Sequence, residues 1–177
     1  FPNDTAAQNV AFGLEMRSIS RSECAKRVGE ALELVGLSGL ADRYPRRMSG
    51  GQQQRIALAR ALVIRPAVLL LDEPFGALDE QTRIRMGREL LNIWDQTRTT
   101  ILLVTHSLTE AIYLSDKIWV MGRGPGRILD RVDVPLERPR CIEMIGSEQF
   151  GRLRNHLWNL LDDGDNASMI TTAGAGG

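Results

Sequence analysis

The segment MSGGQQQR, residues 48–55, has the residue types of an anion-binding site. Ser49 is a favoured helix N-cap, and the apolar run that follows predicts a helix beginning at this serine. The first amides of a helix lack intrahelical partners, and the helix dipole adds partial positive charge there. Gly50 and Gly51 allow a ligand to approach the backbone closely. The segment therefore predicts a site that holds an anion.

Acidic and imidazole side chains follow two apolar runs, AVLLLDEP and TTILLVTH. Continuous apolar runs without alternation are typical of strands that are buried on both faces of a parallel sheet. Asp72 and Glu73 follow the first strand, and His106 follows the second. Since ligands bind at the carboxyl ends of parallel strands, we expect these three side chains to meet along one edge of the sheet.

The chemistry of these three side chains suits the transfer of a phosphoryl group. Asp72 could hold a Mg²⁺ ion, directly or through water. Glu73 could orient or deprotonate an attacking water, and His106 could donate a hydrogen bond to a phosphoryl oxygen. Taken singly, the aspartate also fits a helix cap, the histidine a structural role and the glycines a loop. Their order and spacing in one chain favour the functional interpretation.

The surrounding pattern predicts helices first, and strands alternating with helices later. TAAQNVAFGLEM predicts a helix capped by Thr5, and SRSECAKRVGEALELVGL predicts a second helix opened by a capping box of Ser20 and Glu23. The helix that begins at Ser49 ends near Pro66. The later order, strand–helix–strand–helix–strand, favours an α/β fold with a parallel core.

The remaining elements follow from caps and turn residues. Asp79 predicts the start of a long helix that runs to about Thr97, and a capping box of Ser107 and Glu110 opens the helix SLTEAIYL. DKIWVMG and GRILDRVDV predict a hairpin across RGPG. A last helix is expected over about 147–161, and His156 on it has the character of a surface residue.

Composition narrows the class of protein. The formal net charge of the 177 residues is zero, so the charge balance does not favour a nucleic-acid partner. The two cysteines, Cys24 and Cys141, lie far apart and are expected to be reduced thiols. No apolar run approaches the roughly 18 residues of a membrane span, so we expect a soluble protein that could still dock on a membrane protein.

The stretch MSGGQQQRIALARALVIRPAVLLLDEPFGALD, followed by LLVTH, resembles the ATP-binding cassette ATPases of ABC transporters. SGGQ is similar to the signature motif of that family, LLLDEP to its Walker B strand, GALD to its D-loop and His106 to its switch histidine. The resemblance runs from about residue 1 to 160. Met48 stands where the family usually has leucine and keeps the apolar character.

The resemblance implies roles at a site for ATP and Mg²⁺. Asp72 would hold the Mg²⁺ shell, Glu73 would be the general base, and His106 would contact the γ-phosphate. Leu78 and Asp79 would lie at the interface of a head-to-tail dimer with a second ATPase subunit. Four signature residues would bind the γ-phosphate of the ATP held by the opposite subunit: Ser49, Gly50, Gly51 and Gln52.

The resemblance also implies a domain organisation. Residues 1–65 would be the α-helical subdomain, which ends in the signature-motif helix. Residues 66–162 would be the rear part of a P-loop (RecA-like) α/β ATPase core with its C-terminal helix, and residues 163–177 a disordered tail. The helical region would dock on membrane permease subunits, which places the protein peripherally at the cytoplasmic face of the membrane, with no nucleic-acid partner.

The second half of the chain has a finer resemblance, to the nitrate, sulfonate, taurine and bicarbonate importer branch. The turn GPGRI, the run V-x-x-P-L-x-R-P-R and the late helix with F-x-x-L-R are similar to that branch. The implied function is the ATP-binding and ATP-hydrolysing subunit of such an importer, which energises solute transport.

The phosphate cradle of a cassette ATPase, G-x-x-x-x-G-K-[ST], does not occur in these 177 residues, whose only lysines are Lys26 and Lys117. The family's Q-loop glutamine and adenine-stacking aromatic residue have no counterpart either. We therefore expect a chain truncated at its N-terminus, which alone neither binds ATP tightly nor hydrolyses it. The alternatives are a non-enzymatic binding or complementation module, and an ABC ATPase of DNA repair or translation. The absence of long coiled coils and basic stretches disfavours the latter.

Overall fold

Six α-helices and four strands make up the part of the chain that the computed structural model describes, residues 1–17, 19–122 and 126–173, with side chains described to residue 162. The chain divides into two compact units, Phe1–Val104 and Thr105–Gly177. The division differs from the boundary predicted after residue 65, and the assignment of a helical subdomain to residues 1–65 stays a prediction.

The first unit begins with three helices that pack against one another. They are α1 (Ala6–Glu15), α2 (Arg21–Leu34) and α3 (Gly50–Leu62), and short 3₁₀ turns at Ser38–Leu40 and Pro45–Arg47 lead into α3. All three helices occur where the sequence predicts them. Their shared core consists of apolar side chains at helical spacing, among them Val10, Leu14, Val28, Leu32, Ile56 and Ala59.

Side-chain caps fix where these helices begin. Thr5 Oγ1 accepts the Gln8 amide at 3.3 Å, and Gln8 Oε1 accepts the Thr5 amide at 2.8 Å, which forms a reciprocal capping box. Ser20 Oγ accepts the Glu23 amide at 3.3 Å, as predicted. The Glu23 carboxylate accepts from Arg27 Nε at 2.7 Å, so the salt bridge replaces the second half of the predicted box.

A two-stranded parallel sheet completes the first unit. Strand β1 (Val68–Asp72) runs alongside β2 (Thr100–Val104), with Val68 opposite Thr100 and Asp72 opposite Val104. Helix α4 (Glu80–Thr97) connects the two strands and is capped by Asp79, as predicted. The α/β class with a parallel sheet is therefore confirmed.

The prediction that both strands are buried on both faces is wrong. Side chains alternate along β1, with Leu69 and Leu71 buried and Leu70 70% exposed. In β2, Leu102 and Val104 are likewise exposed. Within the described residues, packing reaches only one face of this sheet. The apolar side chains on the other face therefore remain in contact with solvent.

We expect this exposed sheet face to drive self-association of the 177-residue chain, because a flat apolar patch beside open strand edges favours contact between copies. Leu70→Lys places a charge on this sheet face. It is expected to shift the association equilibrium, measured by sedimentation at high protein concentration, towards the monomer. Met16→Lys adds the same charge at another exposed apolar site, directly after α1, and should leave association unchanged. Equal association of the two variants would contradict the prediction.

The second unit consists of a short helix, a hairpin and a long helix. Helix α5 (Leu108–Leu114) is followed by β3 (Lys117–Gly122) and β4 (Arg127–Asp133), which pair antiparallel as predicted, with Lys117 opposite Asp133. Most of the predicted RGPG turn lies outside the described residues. A 3₁₀ segment (Ile142–Gly146) leads into α6 (Glu148–Ala173), which packs against α5 and β3.

Helix α6 is longer than predicted. Its backbone is helical to Ala173, whereas the sequence pattern places its end at about Leu161. Phe150 and Leu157 are its buried anchors. The amphipathic pattern of the sequence stops after Leu161, and each further helical residue contributes one more backbone hydrogen bond. The disordered tail was predicted for residues 163–177; the backbone is helical to Ala173, and residues 174–177 lie outside the described residues.

Candidate functional site

The predicted anion site lies at the start of α3. Ser49 has extended backbone angles, its Oγ accepts the Gln52 amide at 3.3 Å, and Gln52 Oε1 accepts the Ser49 amide at 3.0 Å. This reciprocal box uses two of the amides at the helix start. Those of Gly50 and Gly51 belong to the first turn, which has no intrahelical acceptor for them. Ser49 and Gly50 are exposed, so a ligand can reach this turn.

Neither glycine is required by the fold of this chain. A Cβ built on Gly50 would have Leu78 Cδ2 as its nearest neighbour at 3.5 Å. One on Gly51 would meet Thr82 Cγ2 at 3.6 Å and Met86 Sδ at 3.8 Å, which are ordinary van der Waals distances. Both residues are helical, where glycine is less stable than alanine. The glycines therefore fit a close approach from outside the chain better than an internal packing need.

The same distances place the signature segment beside GALD. Leu78 and Asp79 stand directly before α4, and Leu78 is the nearest neighbour of Gly50. The Leu78 carbonyl accepts from Arg83 Nη2 at 3.0 Å, and the Asp79 carboxylate accepts the Thr82 amide at 2.9 Å. The structure thus brings these two predicted segments together within the first unit.

The Asp79 cap makes helix stability depend on pH. Its hydrogen bonds to Thr82 hold the pKa of the Asp79 carboxyl below the ordinary aspartate value. The capping stabilisation is therefore complete above the ordinary aspartate range and is lost as the pH falls through the lowered pKa. We expect Asp79→Ala to lower the midpoint of thermal unfolding at neutral pH, and the gap from wild type to close in acid.

Asp79→Asn is the matched control for this prediction, because asparagine caps helices but does not titrate. Its unfolding midpoint should stay near that of the wild type at neutral pH and exceed it in strong acid. An Asp79→Ala gap that is the same at neutral and acidic pH would contradict the electrostatic account. Thermal unfolding followed by circular dichroism across this pH range measures all three proteins.

Asp72 and Glu73 lie at the carboxyl end of β1, where the ends of the two strands are side by side. The Glu73 amide donates to the Val104 carbonyl at 2.9 Å, which ties the turn after β1 to the last residue of β2. Glu73 has φ of +45°, a left-handed conformation that is unfavourable for a glutamate. Its carboxylate oxygen Oε2 lies 3.5 Å from the point where a Cβ atom would stand if Gly76 carried a side chain. Strained backbone of this kind clusters at functional sites.

The local structure explains how the strain at Glu73 is held. Phe75, two residues on, is fully buried, and Pro74 is also buried. The Gly76 amide donates to the Glu73 carbonyl at 3.2 Å and closes a tight turn. Because Pro74 and Phe75 anchor the chain inside, Asp72 and Glu73 are left exposed on the strand end.

The carboxylates at the end of β1 could supply only part of the ligand sphere of a Mg²⁺ ion. No group of three or more His, Cys, Asp or Glu side chains within the described residues is arranged to hold a metal ion. Asp72 offers one exposed carboxylate. Mg²⁺ is commonly bound through one or two carboxylates, with the remaining positions filled by water and phosphate oxygens.

His106 belongs to the second unit. It is exposed, two residues beyond the end of β2, and lies in the loop before α5. On either side of it, Thr105 Oγ1 accepts the Ser107 amide at 3.0 Å, and Ser107 caps α5. Asp72 and Glu73 are adjacent residues at the end of β1, and the predicted meeting of their carboxylates with His106 stays a prediction.

Two arginines near the end of the run VPLERPR make contacts that the sequence did not predict. Arg138 and Arg140 both contact Asp116 Oδ1, at 2.9 Å and 3.2 Å. The arginine-proline pattern marked these positions but gave no indication of their partners. His156 Nε2 lies 3.6 Å from Asp130 Oδ2, which agrees with the prediction of a surface residue.

Residues 1–76 match the family model described as ABC transporter. An uncharacterized ABC transporter ATP-binding protein of Methanocaldococcus jannaschii is 44% identical over 162 residues, which are 92% of this chain and 60% of that protein. The solved structure of cbiO1 from Clostridium perfringens has a TM-score of 0.70 and 29% identity over 84% of this chain and 56% of that one. The chain is therefore similar in sequence and in fold to ATP-binding cassettes of ABC transporters.

Other cassette relatives have names that differ in the solute. The nitrate import ATP-binding protein NrtD of Synechococcus elongatus is 41% identical over 164 residues, 90% of this chain and 60% of that protein. Further relatives are named for import of sulfate/thiosulfate and of spermidine/putrescine. Another similar structure, with a TM-score of 0.56 and 35% identity over 67% of this chain and 53% of that one, is a dimeric bacterial cassette.

This chain spans about 60% of the length of the first curated relatives it matches. Its α/β class and parallel sheet agree with its structural neighbours. Within the described residues, no helix is both long and apolar enough to cross a bilayer.

Proposed function

We propose that this chain contributes the signature motif, the D-loop and the catalytic carboxylates of an ABC-type ATPase that energises an importer. The observation that carries the proposal is the exposed, glycine-rich start of α3 beside Leu78. A helix start with amides lacking intrahelical acceptors suits a phosphate, and the two glycines suit one that approaches the backbone closely.

Each remaining motif has one role in this proposal. Glu73 acts as the general base that takes a proton from the attacking water, and His106 donates a hydrogen bond to the γ-phosphate as charge builds up there. Asp72 would hold Mg²⁺, which neutralises charge on the β- and γ-phosphates when ATP is bound. The exposure of Asp72, Glu73 and His106 leaves them accessible to a nucleotide.

Two partners follow from the position of the signature motif. Ser49 and Gly50 are exposed to solvent, which suits an ATP held by a second ATPase subunit in a head-to-tail dimer. The dimeric state of one solved relative supports this arrangement. Leu78 and Asp79 then lie at the dimer interface, next to the bound nucleotide.

The second partner is a membrane permease subunit, which would dock on the helical region at residues 1–48. Phe12 and Met16 are exposed and lie four residues apart on one side of α1. Exposed apolar side chains grouped in this way suit a protein partner. Such docking places the chain at the cytoplasmic face of the membrane, and the solved cbiO1 relative is described as part of a transporter complex.

We propose that the importer belongs to the nitrate, sulfonate and taurine branch, which would set the class of its solute. The runs GPGRI and V-x-x-P-L-x-R-P-R support this branch, as does the relative named for nitrate import. The proposal also holds that the 177 residues do not hydrolyse ATP by themselves, because they contain no lysine-bearing phosphate cradle.

A fusion tests the activity directly. In this cassette fusion, the front part of the Synechococcus elongatus nitrate import protein, up to where its similarity to this chain begins, is joined to Phe1. We expect Mg-ATP turnover by the fusion and none by the 177-residue chain. Turnover by the chain alone would contradict the proposed dependence on a cradle. A folded fusion that binds ATP without hydrolysing it would favour the alternative, a non-enzymatic binding or complementation module.

A further inference from the structure

Arg140 is buried against the end of α5 in the second unit. Its side chain is fully inaccessible to solvent. Nη1 donates to the carbonyls of Ile112, Tyr113 and Ser115 at 3.4, 3.1 and 2.7 Å. Nη2 donates to Asp116 Oδ1 at 3.2 Å. One guanidinium therefore contacts three backbone carbonyls within four residues at the C-terminal end of α5.

These contacts stabilise a helix that is too short to be stable by itself. The helix has only seven residues, and an isolated helix of that length is unstable in water. Its last carbonyls have no intrahelical donors and form the negative end of the helix dipole. A buried cation at that end stabilises it, although burial also lowers the pKa of Arg140 by penalising the charged form.

The opposite end of α5 is attached to the loop that contains His106. Thr105 Oγ1 donates to Glu110 Oε2 at 2.8 Å, and Ser107 Oγ accepts the Glu110 amide at 3.3 Å. Glu110 is buried, at 8% exposed. Its two bonds hold the residue before His106 and the residue after it, so the loop conformation depends on where Glu110 lies in the helix.

A series of backbone hydrogen bonds joins the two ends. The Ser115 amide donates to the Ala111 carbonyl at 3.2 Å, and the Ala111 amide donates to the Ser107 carbonyl at 3.0 Å. Arg140 holds the Ser115 carbonyl, and Ser107 is the neighbour of His106. If α5 unwinds from its C-terminal end, these bonds break in sequence towards the loop.

We propose that Arg140 is a positioning residue for His106, acting through α5. Its guanidinium fixes the C-terminal end of the helix, and the helix fixes the backbone on both sides of the imidazole. The importance of this for catalysis rests on the proposed function, in which His106 contacts the γ-phosphate. The positioning itself is a property of the second unit and can be measured without nucleotide.

Arg138 provides a matched control. Its Nε and Nη2 contact Asp116 Oδ1 at 3.0 and 2.9 Å, and its Nη2 lies 3.5 Å from the Leu114 carbonyl of α5, a longer distance than Arg140 Nη1 has to the Ser115 carbonyl. Arg138→Met therefore removes an arginine–aspartate pair of the same kind while leaving the carbonyls held by Arg140 in place. It should not change the position of His106.

The imidazole resonances of the 177-residue chain test the proposal, because the chain has only two histidines and His156→Gln assigns them. In Arg140→Lys, which keeps the charge but not the fork of donors, we expect the His106 resonance to move by more than its linewidth. Exchange of the Ala111 amide with solvent should accelerate about tenfold. Arg140→Met should show a larger effect on both, and Arg138→Met no effect on either.

The His156 resonance distinguishes positioning from general loosening of the unit. We expect it to stay in place in every Arg140 variant that retains native β3–β4 amide resonances. A His106 resonance unchanged in folded Arg140→Lys would overturn the proposal, as would equal shifts of His106 and His156. If Arg140→Met does not fold, Arg140→Lys decides the question. Lack of ATP turnover by the cassette fusion would overturn the proposed function and leave this result untouched.

Discussion

Replacing Glu73 by glutamine is expected to lower Mg-ATP turnover by the cassette fusion by about 100-fold or more, the range of a lost general base. Glutamine has nearly the same size and shape as glutamate but cannot accept the proton from the attacking water. The turn that holds residue 73 should not change, because the Glu73 amide bond to Val104 and the buried Phe75 do not involve the carboxylate. Phosphate release under saturating ATP measures the effect.

Glu137→Gln is the control for this result, since Glu137 is an exposed glutamate outside the signature motif, the Walker B strand and the D-loop. It removes the same charge and should leave turnover at the level of the unmodified fusion. Binding of ATP by Glu73→Gln should also be retained, because the carboxylate contributes to the chemical step rather than to phosphate contacts. Retained turnover in Glu73→Gln would remove Glu73 from the role of base.

Local signals in the sequence predicted most of the elements correctly. Thr5, Ser49 and Asp79 cap the helices that their residue types predict, since the cap interaction is completed within four residues. The parallel pairing of β1 with β2 follows similarly from two apolar runs separated by one helix. These features depend on short-range geometry, which residue types and spacing report directly.

Features that depend on distant packing were not predictable. An apolar run indicates that a strand favours burial, but not whether a second layer covers each face, and so the two runs predicted burial on both faces where Leu70 and Leu102 are exposed. The contacts of Arg140 with the end of α5 span 25 residues or more, and nothing near Arg140 indicates that distance. The left-handed backbone of Glu73 was likewise not indicated, because glutamate rarely adopts it.

Substitutions at the signature glycines can show whether the fold or the ligand requires glycine there. Gly51→Ala is expected to stabilise the 177-residue chain by about 0.5 kcal/mol, because alanine favours the helix and its methyl group has ordinary contacts with Thr82 and Met86. In the cassette fusion we expect the same methyl group to hinder a phosphate that approaches the Gly51 backbone closely. Loss of one hydrogen bond to a charged group corresponds to a fall in turnover of about tenfold or more.

Gly29→Ala makes the same substitution inside α2, where a Cβ would have nothing within 4 Å. It should produce a similar gain in the midpoint of thermal unfolding and leave turnover unchanged. Replacing a glycine that the fold needs lowers both the stability and the activity of the protein. Replacing a glycine that only the ligand needs lowers the activity alone. A Gly51→Ala fusion that is more stable and fully active would therefore exclude close approach of the phosphate at Gly51, even if ATP is hydrolysed elsewhere on the protein.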